Sequence, residues 1–320
     1  MKINIELLKE LERNVNIVNP ETGKIPIKIL GFGEISLVFE LVNDPAKLAY
    51  KRIPIFDTEK QVKRHIWAYN KYSQILEKDV GLTLPEYDTA WFKDEEGKIW
   101  FYCVQEKVLP ESAGHKVIHH ISENEIETLV LLAMREMKKV YTYGKENRYI
   151  NLGFDGQISN FSVIDYDPKS PQVDINTKLS YLDTSTPLFR INGKEAMDAL
   201  LFLKSTPFFL RPLIKAAFLQ EVLDRYYDWR LVTIDLVANF FKEQKPEIIP
   251  SLIRLVNKFF TKEANEFNIE QITLKEVEKY YKSDKMIWVL FQNARKIDRY
   301  IKTKLLRKEY DFYLPPKIKR

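Results

Sequence analysis

The pattern of apolar and polar residues changes character twice along the chain. Residues 5–13 repeat apolar side chains at helical spacing, at Ile5, Leu8 and Leu11. Residues 25–108 are dominated by short runs of β-branched, aromatic or alternating residues, which predict two hairpins with a helix between them. After Pro110 the apolar period is mostly helical. Strands first and helices afterwards predict an α+β chain.

The strand-rich part divides at its turn residues. The first hairpin, 25–42, bends around Gly31-Phe32-Gly33, and the next strand, 48–53, carries Lys51. A helix is predicted at 59–76, opened by a capping box of Thr58 and Gln61. The strands 89–93 and 99–108 then pair around the turn DEEGK.

Helical spacing governs most of the second part, apart from short strands within residues 149–164 and 172–190. A long helix is predicted at 123–143, with Gly144 as the residue that ends it. Further helices are predicted at 194–203, 211–227, 230–241, 246–260, 274–281 and 283–306. We therefore expect an N-terminal lobe at 1–108 and a helical C-terminal lobe at 109–320.

Composition limits the classes of protein to which the chain can belong. Its 320 residues are 45% hydrophobic and 13% aromatic, enough for a sizeable core. The net charge of +5 comes from interspersed Lys and Glu, which argues against a nucleic-acid partner. A single cysteine, Cys103, and the absence of any apolar run of about 18 residues predict a cytoplasmic protein without a membrane span. The final KIKR would either contact an anionic partner or remain a solvated end.

Four positions in the first hairpin form the pattern G-x-G-x-x-S-x-V: Gly31, Gly33, Ser36 and Val38. Glycine lets backbone N–H groups approach phosphate oxygens, because no Cβ holds the ligand away. The pattern leads into a strand and lacks GK[ST], so it is neither a Rossmann turn nor a Walker A loop. A simple bulge or turn is the alternative interpretation. Lys51 on the next strand supplies a cation and favours phosphate binding.

The stretch 152–160, LGFDGQISN, holds Asp155 and Asn160 with four residues between them. In a turn between strands, such a pair can give a phosphotransferase its base and a metal ligand. Asp183 follows at the end of an apolar strand, where it would either bind a metal or cap the next turn. Asp228 and Asp235, further along, would either anchor backbone near this loop or lie at surface or capping positions.

Taken in order, these parts resemble the protein kinase-like superfamily, nearer its aminoglycoside and choline phosphotransferases than its protein kinases. The resemblance covers about residues 27–190. It implies a two-lobed fold, with an antiparallel N-terminal sheet and one main helix followed by a mostly helical C-terminal lobe. It also implies transfer of the γ-phosphoryl group of ATP, bound with Mg²⁺, to a hydroxyl of an acceptor that the sequence does not identify.

The resemblance implies a role for each matching residue. Lys51 would orient the phosphates, Asp155 would position the acceptor and receive its proton, and Asn160 with Asp183 would hold Mg²⁺. Glu59 would be either the ion-pair partner of Lys51 or an exposed glutamate favoured by the helix dipole. The implied cofactor-binding residues are Gly31, Gly33, Ser36, Val38, Lys51, Glu59, Gln105, Glu106 and Val108, the last three from the hinge that would face adenine.

Several positions depart from the pattern of the superfamily. Gly153 stands where histidine is usual, Gln157 replaces a lysine, and His65 occupies the middle of the helix where a glutamate is expected. Asp183 is followed by Thr184-Ser185, and no A-P-E motif occurs. The departures leave two alternatives to an enzyme: a nucleotide-binding pseudokinase that works through a partner, and an unrelated α+β protein.

Overall fold

Five antiparallel strands form a sheet in the N-terminal half, in the spatial order β1-β2-β3-β5-β4. They are β1 (Ile27–Phe32), β2 (Leu37–Leu41), β3 (Leu48–Arg52), β4 (Tyr87–Lys93) and β5 (Ile99–Glu106). The structure, a computed structural model, describes residues 1–33, 35–42, 44–212 and 219–315. Both predicted hairpins and the strand that carries Lys51 are confirmed.

One face of this sheet is covered by helix α1 (Ile5–Asn14). Alternate residues of β2 are buried, and Phe39 packs in the same cluster as Leu8 and Leu11 of the helix. The side chain of Asn4 begins the helix by accepting a hydrogen bond from the Leu7 N–H at 3.1 Å. The apolar face of this amphipathic helix therefore belongs to the hydrophobic core on that face of the sheet.

The other face of the sheet is covered by helix α2 (Glu59–Gln74), which lies between β3 and β4 in sequence. Val62 and Tyr69 of the helix pack against Phe101 of β5. The predicted capping box is present: Thr58 accepts from the Gln61 N–H at 3.3 Å, and the Gln61 side chain accepts from the Thr58 N–H at 3.1 Å. A short π-helical segment, Ile75–Asp79, continues α2 toward the second half of the chain.

The second half of the chain is built mainly from helices around a large apolar core. They are α3 (Gly114–Val117), α4 (Glu123–Glu146), α5 (Leu219–Arg225), α6 (Trp229–Lys242), α7 (Ile249–Lys262) and α8 (Leu274–Tyr300). None of the helices in the described ranges is long and apolar enough to cross a membrane. The predicted fold class, an antiparallel sheet followed by a helical part, is confirmed.

Some predicted helix ends are wrong. Gly144 lies inside α4, which ends at Glu146 because the side chain of Asn147 accepts the N–H groups of Tyr149 and Ile150. The two helices predicted at 274–281 and 283–306 are one continuous helix, α8, followed by a π-helical turn at Ile301–Leu305. Of the helix predicted at 211–227, the segment Leu219–Arg225 is helical, and residues 213–218 lie outside the described residues.

The helix predicted at 194–203 is also wrong. Asn192 and Gly193 have φ angles of 49° and 76°, so they form a tight turn between β9 (Phe189–Ile191) and β10 (Lys194–Glu195). The chain then makes a 3-10 helix at Ala199–Ser205. The Asn-Gly dipeptide is a strong signal for a hairpin turn. The helical spacing of the apolar residues that follow it led to the wrong prediction of a helix.

Two short strand pairs bring distant loops together. β6 (Ile150–Leu152) pairs with β9, and β7 (Phe161–Val163) pairs with β8 (Leu179–Tyr181). Phe161 lies opposite Tyr181, so the loop before β7 and the segment after β8 meet at one end of this hairpin. The Leu182 N–H closes that end by donating to the Asn160 carbonyl at 2.8 Å.

The segment that follows α8 returns to the N-terminal sheet. Arg52 donates to the Asp311 carbonyl at 2.6 Å, and Lys98 donates to the Asp311 carboxylate at 2.6 Å. Tyr310 and Phe312 are buried beside α2. The chain from α8 onward therefore joins the helical part to the sheet, while the basic residues 317–320 lie outside the described residues.

We expect the buried ion pair between Arg52 and Glu12 to be critical for the attachment of α1. Arg52 donates to both carboxylate oxygens of Glu12, at 2.7 and 3.0 Å, and both side chains are almost fully buried. Replacing Glu12 with Gln leaves the arginine charge without its partner, so the free energy of unfolding should fall by about 2–4 kcal/mol in urea denaturation. Glu10→Gln, at the exposed pair with Lys24, is the control and should cost less than about 1 kcal/mol. Equal losses in the two variants would contradict this account.

Candidate active site

Lys51 and Asp183 meet across the junction between the sheet and the helical part. The Lys51 Nζ donates to the Asp183 Oδ1 at 2.9 Å, and both side chains are about one quarter exposed. Ser185 donates to the same oxygen twice, from its hydroxyl at 2.7 Å and from its N–H at 3.3 Å. Burial alone would raise the pKa of Asp183, but Lys51 and Ser185 stabilise the carboxylate and hold that pKa below its usual value. Asp183 is therefore ionised at neutral pH.

Helix α2 offers Lys51 a histidine where the resemblance predicts a glutamate. His65 is buried between Phe56 and Phe101, close to Lys51 and to the Ser185 backbone. Burial and, to a smaller extent, the neighbouring charge of Lys51 lower the pKa of His65 to about 4, against the opposing effect of the Ser185 backbone. A neutral imidazole therefore lies beside the lysine, and Asp183 supplies the negative charge.

The predicted pairing of Glu59 with Lys51 is wrong. Glu59 pairs with Lys93 at 2.7 Å and with Lys63 at 3.7 Å, at the start of α2. Its carboxylate lies in the first turn of the helix, where the N-terminal end of the dipole favours a negative charge. The alternative interpretation, an exposed glutamate at a helix N-terminus, matches this position.

Asp155 lies in the same junction, in the loop between β6 and β7. Burial, reinforced by the carboxylates of Asp235 and Asp183, raises the pKa of Asp155 to about 7. Its Oδ1 accepts the Gln157 N–H at 3.3 Å, and the Asn160 side chain donates to its backbone carbonyl at 3.2 Å. The Asp155 side chain is only partly buried, so it remains accessible to a ligand. A carboxylate with a pKa near neutrality suits proton transfer at physiological pH.

Helix α6 fixes this loop through Asp235. Gln157 donates from Nε2 to the Asp235 Oδ2 at 3.0 Å, and Asn239 donates to the Asp235 Oδ1 at 3.0 Å. Asp228, the other candidate anchor, instead begins α6 by accepting the Leu231 N–H at 3.1 Å. Of the two aspartates, Asp235 is therefore the one that connects a helix to the Asp155 loop. It does so through Gln157, which stands where the superfamily usually has a lysine.

The loop that holds Asp155 is packed closely from several sides. A Cβ on Gly156 would lie 2.4 Å from the Met137 sulfur and 2.8 Å from Val232, so only glycine fits between α4 and α6. Tyr72 of α2 donates its hydroxyl to the Gly153 carbonyl at 2.9 Å. Sequence spacing does not reveal these contacts, because they join residues far apart in the chain.

The Gly-rich hairpin lies beside the strand that carries Lys51 in the sheet. The Gly33 N–H donates to the Ser36 carbonyl at 3.0 Å, and a Cβ on Gly33 would lie 2.8 Å from the Ser36 hydroxyl. Gly31 lies just after a register shift in β1, and nothing lies within 4 Å of where its Cβ would be. Val38 is paired directly with Lys51 between β2 and β3. Space for a ligand at Gly31 and the lysine on β3 therefore lie on the same sheet, separated by Val38 of β2.

The predicted hinge, residues 105–108, begins in the last two residues of β5. The Glu106 N–H donates to the Glu86 carbonyl at 2.8 Å and the Lys107 N–H to the Lys47 carbonyl at 3.2 Å. Among the described residues, the Val108 N–H makes no backbone hydrogen bond, which leaves it available to a ligand. Gln105 donates from its side chain to the Leu182 carbonyl at 2.8 Å, so it links the hinge to the segment after β8 that carries Asp183.

Asn160 and Asp183 offer oxygen ligands that fit Mg²⁺. The three hydrogen bonds to Asp183 all reach Oδ1, so Oδ2 accepts none of them. Asn160 donates through Nδ2, which leaves its side-chain oxygen unused in that bond. No group of three or more metal-binding side chains occurs in the described ranges. A site of this kind suits an ion that keeps several waters and takes its remaining ligands from phosphates.

The model of one protein family matches residues 10–299. The chain belongs to the family of unknown function DUF6206. A comparison with curated proteins found no match.

Solved structures with some likeness include "WaaP in complex with acyl carrier protein", at 13% identity and a TM-score of 0.31, covering 69% of this chain and 92% of that one. Another is the GDP complex of an aminoglycoside 2'-phosphotransferase, at 11% identity and a TM-score of 0.30, covering 72% of this chain and 91% of that one. Likeness of this degree does not support a conclusion about activity. A hypothesis about activity has to be based on the contacts of Lys51, Asp155 and Asp183.

We expect Lys51 and Asp183 to be coupled in stability. Lys51→Met leaves Asp183 without its counter-charge, and Asp183→Asn leaves the lysine without one, whereas the double variant removes both charges. A double-mutant cycle should give a coupling of about 1–3 kcal/mol in the free energy of unfolding. The exposed pair of Arg13 and Glu95, at 3.1 Å, provides a control cycle that should give less than about 0.5 kcal/mol. Additive effects at Lys51 and Asp183 would contradict the ion pair.

Asp155 should make the stability of the protein depend on pH. An unfolded aspartate loses its proton near pH 4, whereas the folded Asp155 loses it near pH 7. Between these values the folded chain binds more protons, so Asp155 lowers stability as pH rises. Asp155→Asn should therefore gain roughly 1–3 kcal/mol over wild type between pH 4 and pH 8, measured by urea denaturation. A difference that stays constant with pH would show that the pKa of Asp155 is not raised.

Proposed function

We propose that this protein is an ATP- and Mg²⁺-dependent phosphotransferase that moves the γ-phosphoryl group to a hydroxyl, most simply of a small molecule. The observation that supports it best is the 2.9 Å contact of Lys51 with Asp183 beside Asp155. The three residues come from strand β3, the segment after β8 and the loop before β7. Such a convergence of a cation, a low-pKa carboxylate and a carboxylate poised near neutrality suits phosphoryl transfer.

The nucleotide would lie between the Gly-rich hairpin and the hinge. Gly31 leaves room for phosphates to approach the backbone of β1. Lys51 lies two strands away on β3, and its ammonium donates to Asp183. The free N–H of Val108 would donate to the adenine edge. In this arrangement Lys51 shares its charge between Asp183 and the phosphates, which places the nucleotide against the metal ligands.

The Asp183 Oδ2 and the side-chain oxygen of Asn160 would hold Mg²⁺, which neutralises charge on the β- and γ-phosphates when bound. Asp155 would accept the proton of the acceptor hydroxyl as its oxygen bonds to the γ-phosphorus. The bond from that phosphorus to the bridging oxygen breaks, ADP leaves, and Asp155 later releases the proton to water. Gln157 brings no positive charge to this side of the site, so Lys51 and the metal would balance the transferred charge.

A second candidate, a nucleotide-binding pseudokinase, is favoured by one observation. His65, a neutral and buried side chain, occupies the position where the resemblance implies a glutamate. In that case the same residues would bind nucleotide, and signalling to a partner would replace turnover. Binding therefore separates both candidates from an unrelated α+β protein, and turnover separates one from the other.

We expect Asp155→Asn to abolish phosphoryl transfer while MgATP binding is retained. The amide cannot accept the acceptor proton, which should reduce turnover by at least about 100-fold. Release of ADP with a panel of hydroxyl acceptors measures turnover, and the MgATP-dependent rise in melting temperature measures binding. Asp228→Asn, at the start of α6, is the control and should keep both. Unchanged transfer in Asp155→Asn would overturn the assignment, and binding without turnover in the wild type would favour the pseudokinase.

A further inference from the structure

Helix α8 presents an apolar stripe to solvent. Its side chains recur along one face of the helix and are exposed by 66, 48, 68, 53 and 59% at Met286, Val289, Leu290, Ile297 and Tyr300. Together they expose roughly 500 Å² of mainly apolar surface, as much as the largest patch on a typical monomer. We call these five residues the α8 stripe.

The opposite face of the helix accounts for its packing. Val277, Gln292, Arg295 and Asp298 are buried, and Arg295 donates to the Tyr313 carbonyl at 3.1 Å. The α8 stripe is therefore not needed to attach the helix to the rest of the protein. Since exposing this much apolar surface is costly, the stripe indicates a binding surface.

Positive charges border the α8 stripe. Lys296, Lys304, Arg307 and Lys308 are exposed, and none of them forms an ion pair within the described ranges. Asp298, in the same stretch, is buried and paired with Lys302 at 2.8 Å. The exposed border of the stripe is thus cationic, especially at its C-terminal end.

We propose that the α8 stripe docks the protein onto an anionic lipid surface. The apolar side chains would enter the region between headgroups and acyl chains, while the bordering lysines and arginine would contact lipid phosphates. Tyr300 would keep its hydroxyl at the headgroup level. The proposal uses none of the residues of the candidate active site.

Co-sedimentation of the full chain with lipid vesicles tests this docking. The protein should bind vesicles of phosphatidylcholine with about 30% phosphatidylglycerol and should bind pure phosphatidylcholine far less. Met286→Ser with Leu290→Ser removes two exposed side chains and should lower the partition coefficient by about tenfold or more. Lys304→Glu with Lys308→Glu should also weaken binding and make it less sensitive to salt.

Matched controls keep the test specific. Val18→Ser with Ile175→Ser removes two apolar side chains of 54 and 52% exposure elsewhere, and should bind like wild type. Lys169→Glu with Lys178→Glu makes the same charge change away from α8. Circular dichroism should show unchanged melting in every variant, because all the replaced side chains are exposed.

Three results would overturn the proposal. The first is no binding to the anionic vesicles, and the second is equal loss in the α8 variants and their controls. The third is a wild-type dimer in light scattering that Met286→Ser with Leu290→Ser converts to a monomer, which would assign the stripe to a second copy of the chain.

Discussion

The ion pair between Lys51 and Asp183 is the contact on which the candidate site depends. It connects β3 to the segment after β8, beside the hydrogen bond from Gln105 of β5 to the Leu182 carbonyl. Because Ser185 also donates to Asp183, the carboxylate stays ionised in a largely buried position. That charge, in turn, contributes to the raised pKa of Asp155. The ion pair thus keeps Asp183 ionised, whereas the pKa of Asp155 is raised to about 7.

Polar contacts that cross between distant segments also determine the shape around the site. Asp235 of α6 holds Gln157, and Tyr72 of α2 holds the Gly153 carbonyl, so helices from both halves of the chain position the Asp155 loop. The segment after α8 contacts Arg52 on the strand that carries Lys51. A ligand between the two halves would therefore meet a surface whose geometry is fixed from several sides, which reduces the cost of organising it.

Much of this arrangement could be predicted from local sequence. The glycine-bent hairpin, the capping box of Thr58 and the alternation in β2 are properties of neighbouring residues, and the structure has each of them. The partners of Lys51 and Gln157 could not be predicted in the same way. Glu59 has the charge that an ion pair with Lys51 requires, but in the fold it pairs with Lys93. Which lysine lies beside Glu59 depends on three-dimensional packing and not on local sequence. Asp235 was visible as a candidate anchor, yet nothing in its spacing distinguished it from Asp228.

The most direct test of the central claim is calorimetric titration of the wild type and of Asp183→Ala with ATP in the presence and absence of Mg²⁺. If Asp183 and Lys51 form a nucleotide and metal site, the wild type should bind ATP more tightly with Mg²⁺, and Asp183→Ala should lose that dependence on the metal. Wild-type affinity in the variant, with the same response to Mg²⁺, would contradict the assignment of Asp183 and the function that rests on it.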